Sequence, residues 1–150
     1  MLGFLAGGVW AQGRERKVEF TLSFGFLTNL SGGGAFTGSL MTLGFHVDFH
    51  AGELVMISPE VVVAANNFYF NVATIYPGVI LNFKIGRFFF GGGVVLPNSV
   101  NSARSEKGDL SPKINIGFRS FGATLAAYLI TDFHEVFKRN LFGASIGFRF

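Results

Sequence analysis

The chain has 150 residues, with 20 Phe, 21 Gly, no Cys, 49% hydrophobic residues and only 14% charged ones. One domain with a sizeable core fits that length, and a typical second one does not. Soluble domains carry about a quarter charged residues, so a mean hydropathy of +0.45 is out of place on a surface facing water. The aromatic content excludes disorder. No apolar run approaches the roughly 18 residues of a transmembrane helix. The absence of Cys removes disulfide frameworks, thiolate zinc sites and cysteine nucleophiles. A net charge of +3 with a pI near 9.5 suggests an anionic partner only if the bases face outward.

Residues 1–11, MLGFLAGGVWA, resemble the end of a secretory signal, with an apolar segment and small residues at Val9 and Ala11. The basic leader expected ahead of it is missing. The alternative is a frayed apolar end or a short first strand. On the signal reading, residues 12–150 form the mature domain.

From Lys17 the pattern has period two, the signature of a strand between two environments. Over Lys17–Leu27, Val18, Phe20, Leu22, Phe24 and Phe26 oppose Lys17, Glu19, Thr21, Ser23 and Gly25. Leu40–His50 repeats this, with Met41, Leu43, Phe45, Val47 and Phe49 against Thr42, Gly44, His46, Asp48 and His50. Leu54–Ala64 is valine-rich and less regular. Thr74–Ile85, Phe88–Leu96, Lys113–Arg119, Ala123–Phe133 and Leu141–Phe150 complete eight predicted strands. Pro59 and Pro77 fall inside two of them, and a closed barrel has no edge strand to accommodate a proline. A shared bulge near the outer rim, with Ala64 and Thr74 roughly paired, would reconcile this.

The connections alternate. Thr28–Ser39, Ala65–Ala73, Pro97–Pro112 and His134–Asn140 are long or moderately long, whereas Ala51–Glu53, Gly86-Arg87 and Ser120–Gly122 are short. An even number of antiparallel strands with short turns at one end and long loops at the other predicts an all-β, eight-stranded antiparallel up-and-down transmembrane barrel of a bacterial outer membrane. Pairing the first strand with the last leaves no edge.

The charges indicate which face is inside. Lys17, Lys84, Arg87, Lys113, Arg119 and Arg149, with Glu19, Asp48, Glu60 and Asp132, lie on or at the ends of strands, and none interrupts an apolar row. A Lys or Arg facing mid-bilayer on such a barrel costs about 2–4 kcal/mol, so an apolar row free of them belongs against lipid. The opposite row is mostly Gly, Ser, Thr and Asn. It suits a narrow lumen, in which Gly25, Gly44, Gly78, Gly91, Gly117, Gly143 and Gly147 would make room for long Lys and Arg side chains. Lys17, Glu19, His46, Asp48, Glu60, Lys84, Arg87, Arg119 and Arg149 are expected to form an ion network that fills this lumen. The basic members, with Glu19, Asp48 and Glu53, are expected toward the short-turn end. Because bases outnumber acids there, the rival reading is a narrow, anion-leaning pore.

The C-terminus, Leu141-Phe-Gly-Ala-Ser-Ile-Gly-Phe-Arg-Phe150, resembles the terminal recognition signal of outer-membrane barrel proteins. It has a final aromatic, Phe150, hydrophobic residues at Phe148 and Ile146, and glycine upstream at Gly143. With the strand count, the chain looks like the small OmpA/OmpX-type barrels. The resemblance implies insertion in outer-membrane lipid, the barrel-assembly machinery as a folding partner, and a possible extracellular ligand held by the loops. The chain is read as a monomer with no cofactor.

Other chemistry is weaker. His46-Val-Asp48-Phe-His50 puts three polar groups on one face, but same-face neighbours are about 6.6 Å apart, too far to share an ion that needs ligands near 2 Å. A hydrogen-bonded His–Asp pair is expected there and no metal site. His46, Asp48, Ser58 and Glu60 could assemble the constellation of an outer-membrane lipid-modifying enzyme, yet a nucleophile must meet both base and substrate, and a packed lumen offers no access. His134 reads as a solvated loop histidine. Phe68-Tyr69-Phe70 would stand near the outer interface. Ser31-Gly-Gly-Gly-Ala lacks the lysine and helix of a P-loop, and inward-facing bases argue against nucleic acid. A soluble lipocalin-like carrier would invert the two faces.

Overall fold

The computed structural model describes residues 17–30, 39–65, 72–101, 104–133 and 140–150. The expected signal remnant, residues 31–35, residues 68–70 and His134 lie outside them.

Among the described residues ten strands form: β1 (Val18–Asn29), β2 (Leu40–Ala51), β3 (Val55–Ala65), β4 (Val72–Ile85), β5 (Phe88–Val95), β6 (Asn98–Asn101), β7 (Arg104–Lys107), β8 (Ser111–Ser120), β9 (Ala123–Ile130) and β10 (Leu141–Arg149). Eight of them, β1 to β5 and β8 to β10, close a ring. The chain order is antiparallel throughout, and β10 returns to β1 with Thr21 opposite Arg149 and Asn29 opposite Leu141. Each of these eight therefore has two hydrogen-bonded neighbours. That satisfies the backbone without water, as a membrane interior requires.

Between Leu96 and Leu110, where the sequence suggests an irregular loop, β6 and β7 form a hairpin above the ring. β6 continues along β4 in the register that β5 leaves: Gly78 faces Val95 and Ile75 faces Asn98. The Gly108 amide donates to the Pro97 carbonyl at 2.7 Å and closes the hairpin base. The polar residues of NSVN and RSEK hide a strand pair because neither has an apolar face to bury.

The expected bulge is absent. Pro59 and Pro77 sit in unbroken register, Pro59 opposite Val79 and Pro77 opposite Val61. Ladders stop locally instead. The β2–β3 pairing lapses between His46–Glu60 and Phe49–Ile57 with no change of register, where Pro59 has no N–H to offer. The Asp48–Ser58 side-chain bond, 2.6 Å, spans that gap. On its β5 side Pro77 accepts from the Leu96 amide at 2.8 Å and cannot donate in return, so the β4–β5 ladder ends there. Pro112 likewise accepts from Thr131 at 3.0 Å where β8 and β9 part.

The two faces are inverted relative to a water-soluble barrel. Phe20, Phe24, Leu43, Phe45, Val79, Leu81, Ile114, Ile116, Leu125 and Ile146 are exposed, whereas Thr21, Asp48, Ser58, Glu60, Asn82, Lys84 and Lys113 are buried. Apolar side chains thus line the outside and the polar row the inside. Short turns close one end: Gly52, Gly86 and Gly122 take φ of +78°, +60° and +83°, a region glycine enters freely. Phe121, beside Gly122, adopts φ of +31°. For a bulky residue that conformation is an outlier, costing on the order of 1–3 kcal/mol.

Candidate functional site

The lumen has three levels. At the loop end, Leu27, Val62, Ala64, Tyr76, Val95, Tyr128 and Ile130 pack as a buried apolar cluster, with Leu40 and Leu141 against it. Inward apolar residues follow from strand parity, but the charges dominate a sequence-based reading of the lumen and this cluster is not evident from it.

Below the cluster lies a first polar group. Lys113 on β8 reaches Glu60 on β3, Nζ to Oε1 2.5 Å, and its ammonium lies 4.2 Å from the Tyr128 ring centre. His46 Nδ1 is 3.2 Å from Glu60 Oε2, and its Nε2 is 3.0 Å from Ser23 Oγ. With the carboxylate accepting at Nδ1–H, Nε2 accepts from the serine, so the partners set the tautomer. Lys113 shares the inward row of β8, and that parity is the signal that places it in the network.

A second group fills the short-turn end. Arg119 donates to Glu19 and lies 3.4 Å from Asp48 Oδ2. Arg149 Nη1 is 3.5 Å from Glu19. His50 Nε2 is 3.1 Å from Glu19 and its Nδ1 is 3.0 Å from Lys84 Nζ. An ammonium can only donate, so Nδ1 accepts and Nε2–H faces the carboxylate. Asn82 donates to Ser58 at 3.2 Å, and Ser58 to Asp48.

Of the nine expected network residues, Glu19, His46, Asp48, Glu60, Lys84, Arg119 and Arg149 converge in the lumen. Lys17 is exposed at the rim, where its carbonyl accepts from the His50 amide at 2.9 Å. Arg87 is exposed in the β4–β5 turn with its guanidinium over the Phe121 ring, 5.4 Å from the centroid. Glu53 is exposed in the β2–β3 turn. These turns extend past the last inward position, so a side chain there has no lumen wall behind it. The assembly-signal residues divide by parity. Ile146, Phe148 and Phe150 face outward, and Phe150 stacks on Phe20 at 6.4 Å. Gly143 faces inward beneath Tyr128.

The expected His–Asp pair does not form. His46, Asp48 and His50 each reach a different neighbour, because cross-strand side chains lie closer than same-face neighbours along one strand. No group of three His, Asp or Glu converges as metal ligands among the described residues. Ser58 bonds Asp48 and not a histidine. The hydroxyl–imidazole–carboxylate series that does assemble is Ser23–His46–Glu60, on the inner face of the lumen with little room beside it. The Ser23 hydroxyl covers Gly44 so closely that a Cβ there would be 2.5 Å from it. The adjoining cavity is about 50 Å³, room for a water or two and not for an acyl chain.

The inward glycines take up rings and short polar groups more than Lys or Arg stems. A Cβ on Gly143 would lie 2.2 Å from Tyr128 Cζ, one on Gly117 2.2 Å from Phe89 Cζ, and one on Gly91 2.3 Å from Asn82 Oδ1.

A closed eight-stranded ring with an apolar exterior, an ionised interior and short turns at one end defines a small integral outer-membrane β-barrel. Solved structures of the same fold superpose on most of the chain. Ail, the attachment invasion locus protein of Yersinia pestis, matches with a TM-score of 0.59 and 10% identity, over 91% of this chain and 100% of that one. Neisserial surface protein A gives 0.56 and 10%, over 89% and 96%. A de novo designed transmembrane β-barrel gives 0.55 and 7%, over 91% and 98%. No family model matches the sequence, and a search of curated proteins finds no relative.

Proposed function

We propose that this outer-membrane barrel is a non-conducting scaffold whose role is structural or is exercised by the segments at its loop end. The observation that carries this is closure of the lumen at three levels. The apolar cluster around Leu27 and Tyr128 blocks one level, and the ion groups around Glu60 and Arg119 block two more. A pore needs a continuous wet path and an enzyme needs room for substrate. Between these levels the lumen provides a cavity of about 50 Å³, and the wider space of about 270 Å³ beside Glu19 and Arg149 lies at the short-turn end below them. The surface left for recognition is the outer rim, where the β6–β7 hairpin adds a polar, charged platform beyond the ring. Ail, similar in fold, bears attachment and invasion in its name, which fits a role exercised at the cell surface.

Two measurements test this reading. Planar-bilayer recording of the refolded protein should show no steady channel steps. Protease added to intact cells should cut within residues 98–107 and leave the ring protected. Stable anion-selective steps would establish the pore instead, and cleavage only after the envelope is opened would place the hairpin on the wrong side.

A further inference from the structure

The short-turn end carries a side chain held outward by an unfavourable backbone. Phe121 and Gly122 form a two-residue turn in which both φ values are positive, +31° and +83°. Asn-Gly or Asp-Gly fits such a turn without strain. Phenylalanine here is 87% exposed, so its ring is not buried in the protein. The ring meets the Arg87 guanidinium of the adjacent turn, 5.4 Å away, and the Arg119 amide donating to the Arg87 carbonyl at 2.7 Å fixes the two turns side by side. Directly beneath, Phe88 and Phe118 pack at 5.1 Å, and Ile85 and Phe88 are exposed. The pair therefore continues the lipid-facing belt at its short-turn margin, the periplasmic side in barrels with this layout.

We propose that Arg87 and Phe121 form a clamp for the phosphate of a phospholipid in the periplasmic leaflet. The ring enters the acyl border, as aromatic side chains do at membrane interfaces. The guanidinium, oriented by the ring face, offers its planar fork to the phosphodiester oxygens in two parallel hydrogen bonds. The strained turn is the device that aims the ring along the membrane surface.

The test uses the full chain as a Trp10→Phe, Phe121→Trp variant, since Trp10 is the single native tryptophan. It is refolded into phosphatidylglycerol–phosphatidylethanolamine vesicles with bromines placed near the carbonyls or near the chain ends. A parallel set uses galactolipid with the same acyl chains and no phosphate. The indole should be quenched more by shallow than by deep bromines. Adding Arg87→Gln should weaken shallow quenching in phospholipid and leave it unchanged in galactolipid. A water-like emission insensitive to either bromine, or an equal effect of Arg87→Gln in both lipids, would overturn the clamp. Heat-modifiable migration checks folding. If Arg87→Gln folds poorly, Arg87→Lys, which keeps the charge and loses the fork, is read against the same two outcomes.

Discussion

Lys113 and Glu60 join strands three positions apart around the ring, 2.5 Å between nitrogen and oxygen, with both side chains almost wholly buried. Removing Lys113 leaves the Glu60 carboxylate enclosed with His46 alone beside it, and removing Glu60 leaves the Lys113 ammonium without a counter-charge; breaking a buried pair in this way costs about 3–5 kcal/mol. Lys113→Leu and Glu60→Leu should each lower unfolding stability in vesicles by that order. The double variant should recover most of the loss, since an apolar replacement of a buried pair is often neutral. Urea titration of the three proteins checks this, and a double variant as unstable as the sum of the singles would refute it.

The barrier to ions is divided between chemically different levels. Arg119→Met should destabilise the barrel, because Glu19 and Asp48 both lose a partner, yet leave it silent in bilayer recordings. Conductance should appear only when the apolar level is opened as well, as in Arg119→Met combined with Leu27→Ala and Tyr128→Ala. Channel steps from Arg119→Met alone would show that the upper cluster does not seal.

Gly143 and Tyr128 fit together tightly: a methyl at Gly143 would overlap the ring carbons. Gly143→Ala should cost about 1–3 kcal/mol, the usual range for overpacking. Pairing it with Tyr128→Leu should restore part of that. The readout is the same urea midpoint, and additive losses would mean that the two residues do not compete for space.

Outward positions respond to depth. Ile116→Arg, near the middle of β8, should cost about 2–4 kcal/mol in bilayers, and Ile85→Arg, at the turn end of β4, about 0–1. Equal penalties at both sites would contradict a membrane belt centred on the ring.

Much of this architecture is legible in period-two patterning. The Phe20–Phe24–Phe26 row against Thr21–Ser23–Gly25 fixes the inside of β1, and the short Gly86-Arg87 and Phe121-Gly122 links fix which strands are neighbours. The contacts of a side chain are harder to read. His46, Asp48 and His50 are close in sequence, but their partners come from β1, β3, β4 and β8, and that choice depends on register and tilt, which no local pattern encodes. Arg87 and Lys84 differ by three residues and by parity, and one further step into a turn removes a side chain from the lumen. The β6–β7 hairpin escapes notice because its short polar strands are held by backbone bonds to β4 and to each other.

The seam between β1 and β10 joins the first strand of the ring to the last. The circle can therefore shut only once β10 has been made, and a fragment that stops short of it lacks the completed wall. A product lacking residues 141–150 would present β1 and β9 as two bare margins, ready to pair with another copy. Until that segment arrives the open margins are an aggregation hazard, and closure of the seam removes both at once.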